Sequence, residues 1–217
     1  GVPFYATALD RVIAHYGIRT HFGRQLIAVD GPGRRATFRV TEGDSHRDLT
    51  LPFDLLHVVP PQSAPAAIKR SPLADASGWV NVDRHSLRHT GFDTVFGLGD
   101  CTNTPNSKTA AAVRAQAPVV VANLLRQLDG RGEERRYDGY ASCPLTTSKG
   151  RIMLAEFAYD GAITPSFPFD PRVPRRAYWW LKKAYLPRLY WRMLKGQLGP
   201  DWHAPRTFAA TPPTIRP

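Results

Sequence analysis

Thr94-Val95-Phe96-Gly97-Leu98-Gly99-Asp100 is the stretch on which the fold turns. It reads as a buried-type strand that ends at Gly99-Asp100. A polar run from Cys101 to Ser107 follows, then an alanine-rich segment predicted to be helical from about Lys108 to Leu128. That helix is expected to be capped by Asn106 or Ser107 and kinked at Pro118, whose ring cannot donate a backbone hydrogen bond. In open α/β sheets, ligands bind beyond the carboxyl ends of strands, where a helix N-terminus offers free N–H groups and the positive end of its dipole. Asp100 stands at such a place, as do Lys108, Thr109, Ala110 and Ala111. The Asp100 carboxylate could accept hydrogen bonds from ligand hydroxyls, and the amides of the first helical turn could face a phosphate or an electron-rich ring edge. Gly97 and Gly99 would let a ligand approach the backbone closely. A Gly-Asp pair taken alone is more often a capped turn than a ligand site.

Upstream, Phe4 to Tyr16 carries Leu9, Val12, Ile13 and Tyr16 on one helical face, and Gly17 is placed to end that helix. The pattern then turns to β. Ile18 to Phe22, Gln25 to Asp30, Arg34 to Thr41, Leu49 to Phe53 and Leu55 to Val59 read as strands, with turns at Gly31-Pro32-Gly33 and Glu42-Gly43-Asp44. Pro60-Pro61 ends the last of them. A Pro, Ala and Ser-rich connection over residues 62–78 leads to a short strand at Trp79 to Val82. Downstream of the long helix come a charged linker from Arg131 to Arg136, a loop from Tyr137 to Lys149 that contains Cys143, and a strand from Arg151 to Tyr159. A Pro and Phe connection closes this part, and no internal repeat is visible.

The charge distribution separates a body from a tail. Of a formal net charge of +11, residues 171–217 supply +9, from ten Lys or Arg against the single acid Asp201. Residues 1–170 are close to neutral, so the chain lacks the even basic character of a nucleic-acid binder. Two cysteines are too few for a disulfide framework, and neither they nor the seven scattered histidines show metal-ligand spacing. The chain opens on Gly1-Val2-Pro3-Phe4, without signal-peptide features, and is expected to begin within a longer protein. No apolar run approaches the ~20 residues of a membrane span.

In the tail, Tyr178, Trp179, Trp180, Tyr185, Tyr190 and Trp191 are interleaved with Arg175, Arg176, Lys182, Lys183, Arg188, Arg192 and Lys195. Pro187 is expected to divide this segment into two short amphipathic helices. Trp and Tyr favour the headgroup level of a bilayer, and Lys or Arg is attracted to an anionic surface, so residues 175–195 are expected to lie on a membrane. Internal packing of the same aromatics, in a core or an oligomer contact, is the alternative.

Val95-Phe96-Gly97-Leu98-Gly99-Asp100 resembles the second flavin motif of flavoproteins with two dinucleotide-binding domains. The continuation Cys101 to Val113, then Tyr137-Asp138-Gly139-Tyr140-Ala141-Ser142-Cys143-Pro144-Leu145 and Leu154-Ala155-Glu156-Phe157, is similar to the sulfide:quinone oxidoreductase family, in the branch that includes the mitochondrial enzymes. The similarity runs from Tyr5 to about Gly196. It implies an α/β chain made of a partial two-dinucleotide-binding-domain flavoprotein fold, Rossmann-like with a β-meander, followed by a C-terminal amphipathic helical membrane-binding segment. The divisions expected are 1–92, the remainder of the second nucleotide-binding-like domain; 93–170, the C-terminal part of the FAD-binding domain; and 171–217, the tail.

The resemblance also implies chemistry. FAD would be held in part by Asp100 and by Lys108, Thr109, Ala110 and Ala111. Cys143 matches one of the family's two redox cysteines, through which sulfide is oxidised before electrons pass to a membrane quinone. Cys101 does not match the second, which is expected upstream, although a Cys101–Cys143 pairing remains an alternative on sequence alone. No G-x-G-x-x-G is present, so only part of an FAD site is expected and the isolated chain is not expected to turn over. The implied location is peripheral, on a bacterial inner membrane or, in a eukaryote, the mitochondrial inner membrane, with oligomerisation left open. Two other readings stand beside it: a related NADH:quinone flavin reductase, which would not need Cys143, and a non-catalytic membrane-binding or interaction module derived from this fold.

Overall fold

The computed structural model describes residues 2–130 and 132–197; Gly1, Arg131 and the tail residues beyond 197, Asp201, Arg206 and Arg216 among them, lie outside the described residues. The described residues form two compact units, one of residues 2–9 with 63–130 and 132–197 and the other of residues 10–62.

The chain starts with α1 (Pro3–His15), after which Gly17 adopts a left-handed φ of 62°. The smaller unit is a three-stranded antiparallel meander in the order β1 (Arg24–Asp30), β2 (Arg35–Glu42) and β3 (Ser45–Pro52). Asp30 accepts the Gly33 N–H at 3.0 Å to shape the first turn. Cross-strand pairs set the register: the Thr37 and Thr50 hydroxyls meet at 3.0 Å, and Arg39 pairs with Asp48 at 3.1 Å. Ile18 to Phe22 and Leu55 to Val59, expected as strands, make no ladder among the described residues. Apolar, β-branched composition favours a strand only where a neighbouring backbone completes the hydrogen bonds.

The larger unit is built on α3 (Ala110–Asp129), preceded by the short helix α2 (Ala66–Lys69). Thr94 to Leu98 is not a full strand. Phe96 forms an isolated antiparallel bridge with Arg88, and the Gly97 N–H donates to Leu87 at 3.0 Å. Val80 and Val82 are likewise held by isolated bridges, Val80 to Ala74 and, in parallel, to Thr102, and Val82 to His89. The two sheets are antiparallel throughout, so the chain is α/β in content without a parallel sheet among its described residues. Val80, Val82 and Leu87 nevertheless build a core with Val119, Val120 and three tyrosines, Tyr137, Tyr140 and Tyr159.

Thr109 caps α3, accepting the Ala112 N–H at 3.2 Å, in place of the expected Asn106 or Ser107. Asn106 is engaged elsewhere, its amide donating to the Tyr137 hydroxyl at 2.7 Å. Lys108 therefore precedes the helix. At the other end Gly130 takes the left-handed φ of 66° that closes a helix C-terminus.

The segment expected as a loop around Cys143 is a strand, β4 (Ala141–Ser148), paired antiparallel with β5 (Arg151–Phe157). A two-stranded sheet consists only of edge strands, so Pro144 can leave its missing donor on the open side. The tail also differs from expectation. Instead of two helices divided at Pro187, α4 (Arg176–Trp180) runs into a π-turn (Leu181–Tyr185) and then into α5 (Leu186–Leu194). Pro187 occupies the first turn of α5, where its lack of an N–H is tolerated.

Candidate functional site

Strand alternation gives the β4–β5 hairpin two faces with different roles. Cys143 pairs with Ala155 and Leu145 with Met153, and these residues pack with Tyr5 and Ala8 of α1. Ser142 pairs with Glu156 and Pro144 with Leu154, and this opposite face forms the wall of a cavity of about 600 Å³. Thr109, Ala110, Ala111 and Arg114 bring the first turns of α3 to the same cavity, and Cys143 borders it. The π-turn and α5 close the apolar side with leucines, tyrosines and Met193.

Glu156 is the polar centre of this face. Its side chain is nearly inaccessible, at 3% exposure. Oε1 accepts the Tyr140 hydroxyl at 2.5 Å and the Ser166 hydroxyl, and Oε2 accepts the Ser166 N–H at 2.7 Å. Its backbone is held as well: the Tyr5 hydroxyl donates to the Glu156 carbonyl at 3.0 Å and lies 3.1 Å from the Glu156 N–H, which donates to it. Burial moves the Tyr5 phenol upward, and the hydrogen bond with the Glu156 backbone opposes that shift. A glutamate inside the otherwise apolar Met153 to Phe157 is the signal sequence reasoning passed over, since an acid there must be supplied with donors. Tyr140 stands inside the quoted Tyr137–Leu145 motif without a role assigned to it, and Ser166 and Arg114 carry no such local signal.

The residues predicted from sequence fall into three places. Thr109, Ala110 and Ala111 line the cavity. Asp100 is exposed on the turn Gly99–Cys101 and is not part of the cavity wall. Lys108 lies between: its ammonium donates to the Thr102 carbonyl at 2.5 Å and sits 4.1 Å above the Trp79 ring. Burial lowers the Lys108 pKa, and the nearby Asp100 carboxylate opposes that shift. Gly97 is crowded by protein, since a Cβ there would meet Thr102, Val82 and Val80 at 3.0 to 3.3 Å; close packing of this chain accounts for its glycine. Gly99 has a left-handed φ of 75°, and its N–H donates to the Gln116 side chain at 2.7 Å.

Both cysteines are free thiols in different surroundings. Cys101 donates its S–H to the Leu98 carbonyl at 3.3 Å and packs on the core around α3. Cys143 is half-buried in the α1 cluster, and desolvation raises its pKa. It is thus a shielded thiol on a strand, not an open one on a loop.

Lys182 joins the tail to the hairpin, its ammonium donating to the Pro144 carbonyl and to the Thr146 hydroxyl, each at 3.1 Å. Tyr178 is buried against Ile152 and Leu154. Trp180 and Trp191 remain exposed, at 64% and 60%. Among the described residues no helix is long and apolar enough to cross a membrane.

No protein-family model matches the chain. Comparison with curated proteins places it with oxidoreductases of one kind. It is 41% identical over 202 residues to the mitochondrial sulfide:quinone oxidoreductase of Mus musculus, covering 92% of this chain and 44% of the mouse protein. The Dictyostelium discoideum protein of the same name is 43% identical over 198 residues, covering 90% and 43%, and that of Schizosaccharomyces pombe is 41% identical over 182 residues, covering 82% and 39%. The chain belongs to the sulfide:quinone oxidoreductase family, and it spans about two fifths of the length of these relatives. Among solved structures, a chain of the cryo-EM F1Fo composite tetramer model of the Tetrahymena thermophila mitochondrial ATP synthase superposes with a TM-score of 0.77. It shows 25% identity over 92% of this chain and 49% of that one.

Proposed function

We propose that the chain is the C-terminal part of a flavoprotein that oxidises sulfide through redox cysteines and reduces a membrane quinone. The observation that carries this is the two-faced β4–β5 hairpin in a chain with more than 40% identity to enzymes of that name. Cys143 lies on one face and an apolar cavity on the other, so a sulfur site and a site for a lipophilic ring are one strand apart. The α3 N-terminus borders the same cavity with the small residues Ala110 and Ala111, which leave their backbone amides accessible to a flat polar edge.

These residues fit FAD in part. Thr109, Ala110 and Ala111 would lie against it, Asp100 would accept from its hydroxyls at the adjoining turn, and Lys108 would act chiefly by holding that turn through Thr102. FAD, when bound, would supply the two-electron acceptor. The chain's own contribution is to shield Cys143 from water, to keep the Glu156 network at the cavity wall, and to offer an apolar surface for a quinone ring and tail. A desolvated thiol with a raised pKa suits a sulfur that spends its resting state in a covalent bridge. The exposed Trp180, Trp191, Arg188 and Arg192 would place the tail in the interfacial plane of an anionic membrane, at the inner mitochondrial or bacterial membrane.

A second reading has one observation in its favour. A chain superposing on this one occurs in a mitochondrial ATP synthase structure, which suits a non-catalytic structural module of the same fold. Flavin content separates the two. The complete protein should purify with bound FAD, and Asp100→Ala should lower the flavin retained. A colourless complete protein that takes up no added FAD would overturn the enzymatic reading.

A further inference from the structure

Four residues of the tail that line the cavity, Leu181, Tyr185, Leu189 and Met193, are spaced by steps of four. On a regular α-helix, at about 100° per residue, that row would drift by roughly 120° from first to last and turn its end away from the cavity. The π-turn removes most of the drift. With about 4.4 residues per turn across Leu181–Tyr185, the row ends only about 50° from where it began. The widened turn is shown by the Leu186 N–H, which donates to the Leu181 carbonyl five residues back.

Pro187 accounts for the wide turn. In an α-helix its ring would collide with the carbonyl of Lys183 and its missing N–H would leave that carbonyl unpaired. The π-turn moves the preceding carbonyls, and the Arg188 guanidinium donates to the Ala184 carbonyl at 2.8 Å.

We propose that the π-turn imposed by Pro187 is the specificity-determining element of the cavity: it sets the phase of α5 so that Leu189 and Met193 continue the wall begun by Leu181 and Tyr185, along the path of the ligand's hydrocarbon tail. The proposal rests on the reading of this cavity as the quinone site. A ring lacking a tail would touch little of the α5 part of the wall, whereas a tailed quinone would depend on it.

Pro187→Ala lets the extra residue be absorbed into a regular helix, which turns the α5 face by about 70°. Deleting Ala184 as well removes that residue and returns the face close to its original phase. The test is quenching of tryptophan fluorescence in the complete protein, titrated with a decyl-substituted benzoquinone and with an untailed benzoquinone, alongside far-ultraviolet circular dichroism. Pro187→Ala should weaken the decyl quinone by about tenfold or more, equivalent to 1.4 kcal/mol, with the untailed ring much less affected and helix content retained. The double variant should recover most of the loss. Equal decyl-quinone affinity in Pro187→Ala and the parent, failure of the deletion to restore it, or loss of helix in both variants would overturn the proposal. Absence of saturable quenching in the parent would instead refute the quinone reading of the cavity.

Discussion

Replacing Glu156 by alanine should be among the most damaging single changes in the larger unit. The carboxylate is 3% exposed and accepts from Tyr140, itself 5% exposed, and from both donors of Ser166. Hydrogen bonds to a charged acceptor contribute about 1.5 to 3 kcal/mol each, but they share one carboxylate and are not additive. Loss of the shared acceptor, together with the space vacated, gives an expected loss of about 3 to 5 kcal/mol. Glu156→Gln keeps the volume and one acceptor oxygen while adding a donor where Ser166 or Tyr140 also donates, so it should cost about 1 to 2 kcal/mol. Urea denaturation followed by tyrosine and tryptophan fluorescence measures both. The backbone bonds of Glu156 to Tyr5 survive either change, so the destabilisation reports the side-chain network. A loss below about 1 kcal/mol for Glu156→Ala would show that the network is not holding the cavity wall.

Other outcomes follow from single contacts. Thr109→Ala removes the α3 cap and should destabilise the protein by about 1 kcal/mol, with Thr109→Ser nearly neutral, in the same denaturation assay. Alkylation of Cys143 by iodoacetamide should rise with pH through a midpoint above the ordinary thiol range, because burial favours the neutral thiol. The same shift means the folded form binds the thiol proton more tightly than the unfolded chain does, so this residue's contribution to stability falls as pH rises from the unfolded to the folded pKa; a midpoint at or below the ordinary range contradicts the shielded placement. Removal of residues 175–217 from the complete protein should release it from anionic liposomes, and unchanged liposome binding would contradict the interfacial role of the tail.

Local signals were legible in the sequence where one residue type is needed for one backbone state or one partner. Gly17 after α1, the turns between β1, β2 and β3, and the long helix over the alanine-rich segment came from such signals. Thr94 to Leu98 is not the full strand its apolar composition suggests, because composition says nothing of which backbone lies beside it; among the described residues Leu87 to His89 does so. The Cys143 strand was hidden by Pro144, a residue that an edge strand accepts and a central one rejects. Of the candidate site, the α3 N-terminus and Cys143 were visible as motifs. Glu156 stood inside a quoted motif without a role, and Arg114 and the tail wall were not visible, because these residues meet only when the hairpin, α3 and α5 are packed together. The amphipathic pattern likewise located Pro187 but not the π-turn that absorbs it, since charge and hydropathy record which residues share a face and not how the backbone is wound to bring them there.

The most direct test compares Cys143→Ser with Cys101→Ser in the complete protein, measuring sulfide-dependent quinone reduction at matched FAD content. Cys143→Ser should abolish turnover, because its sulfur sits on the hairpin beside the cavity, while Cys101→Ser, which exchanges an S–H donor to Leu98 in the α3 core for an O–H donor, should largely preserve it. Full activity in Cys143→Ser, or loss confined to Cys101→Ser, would contradict the account.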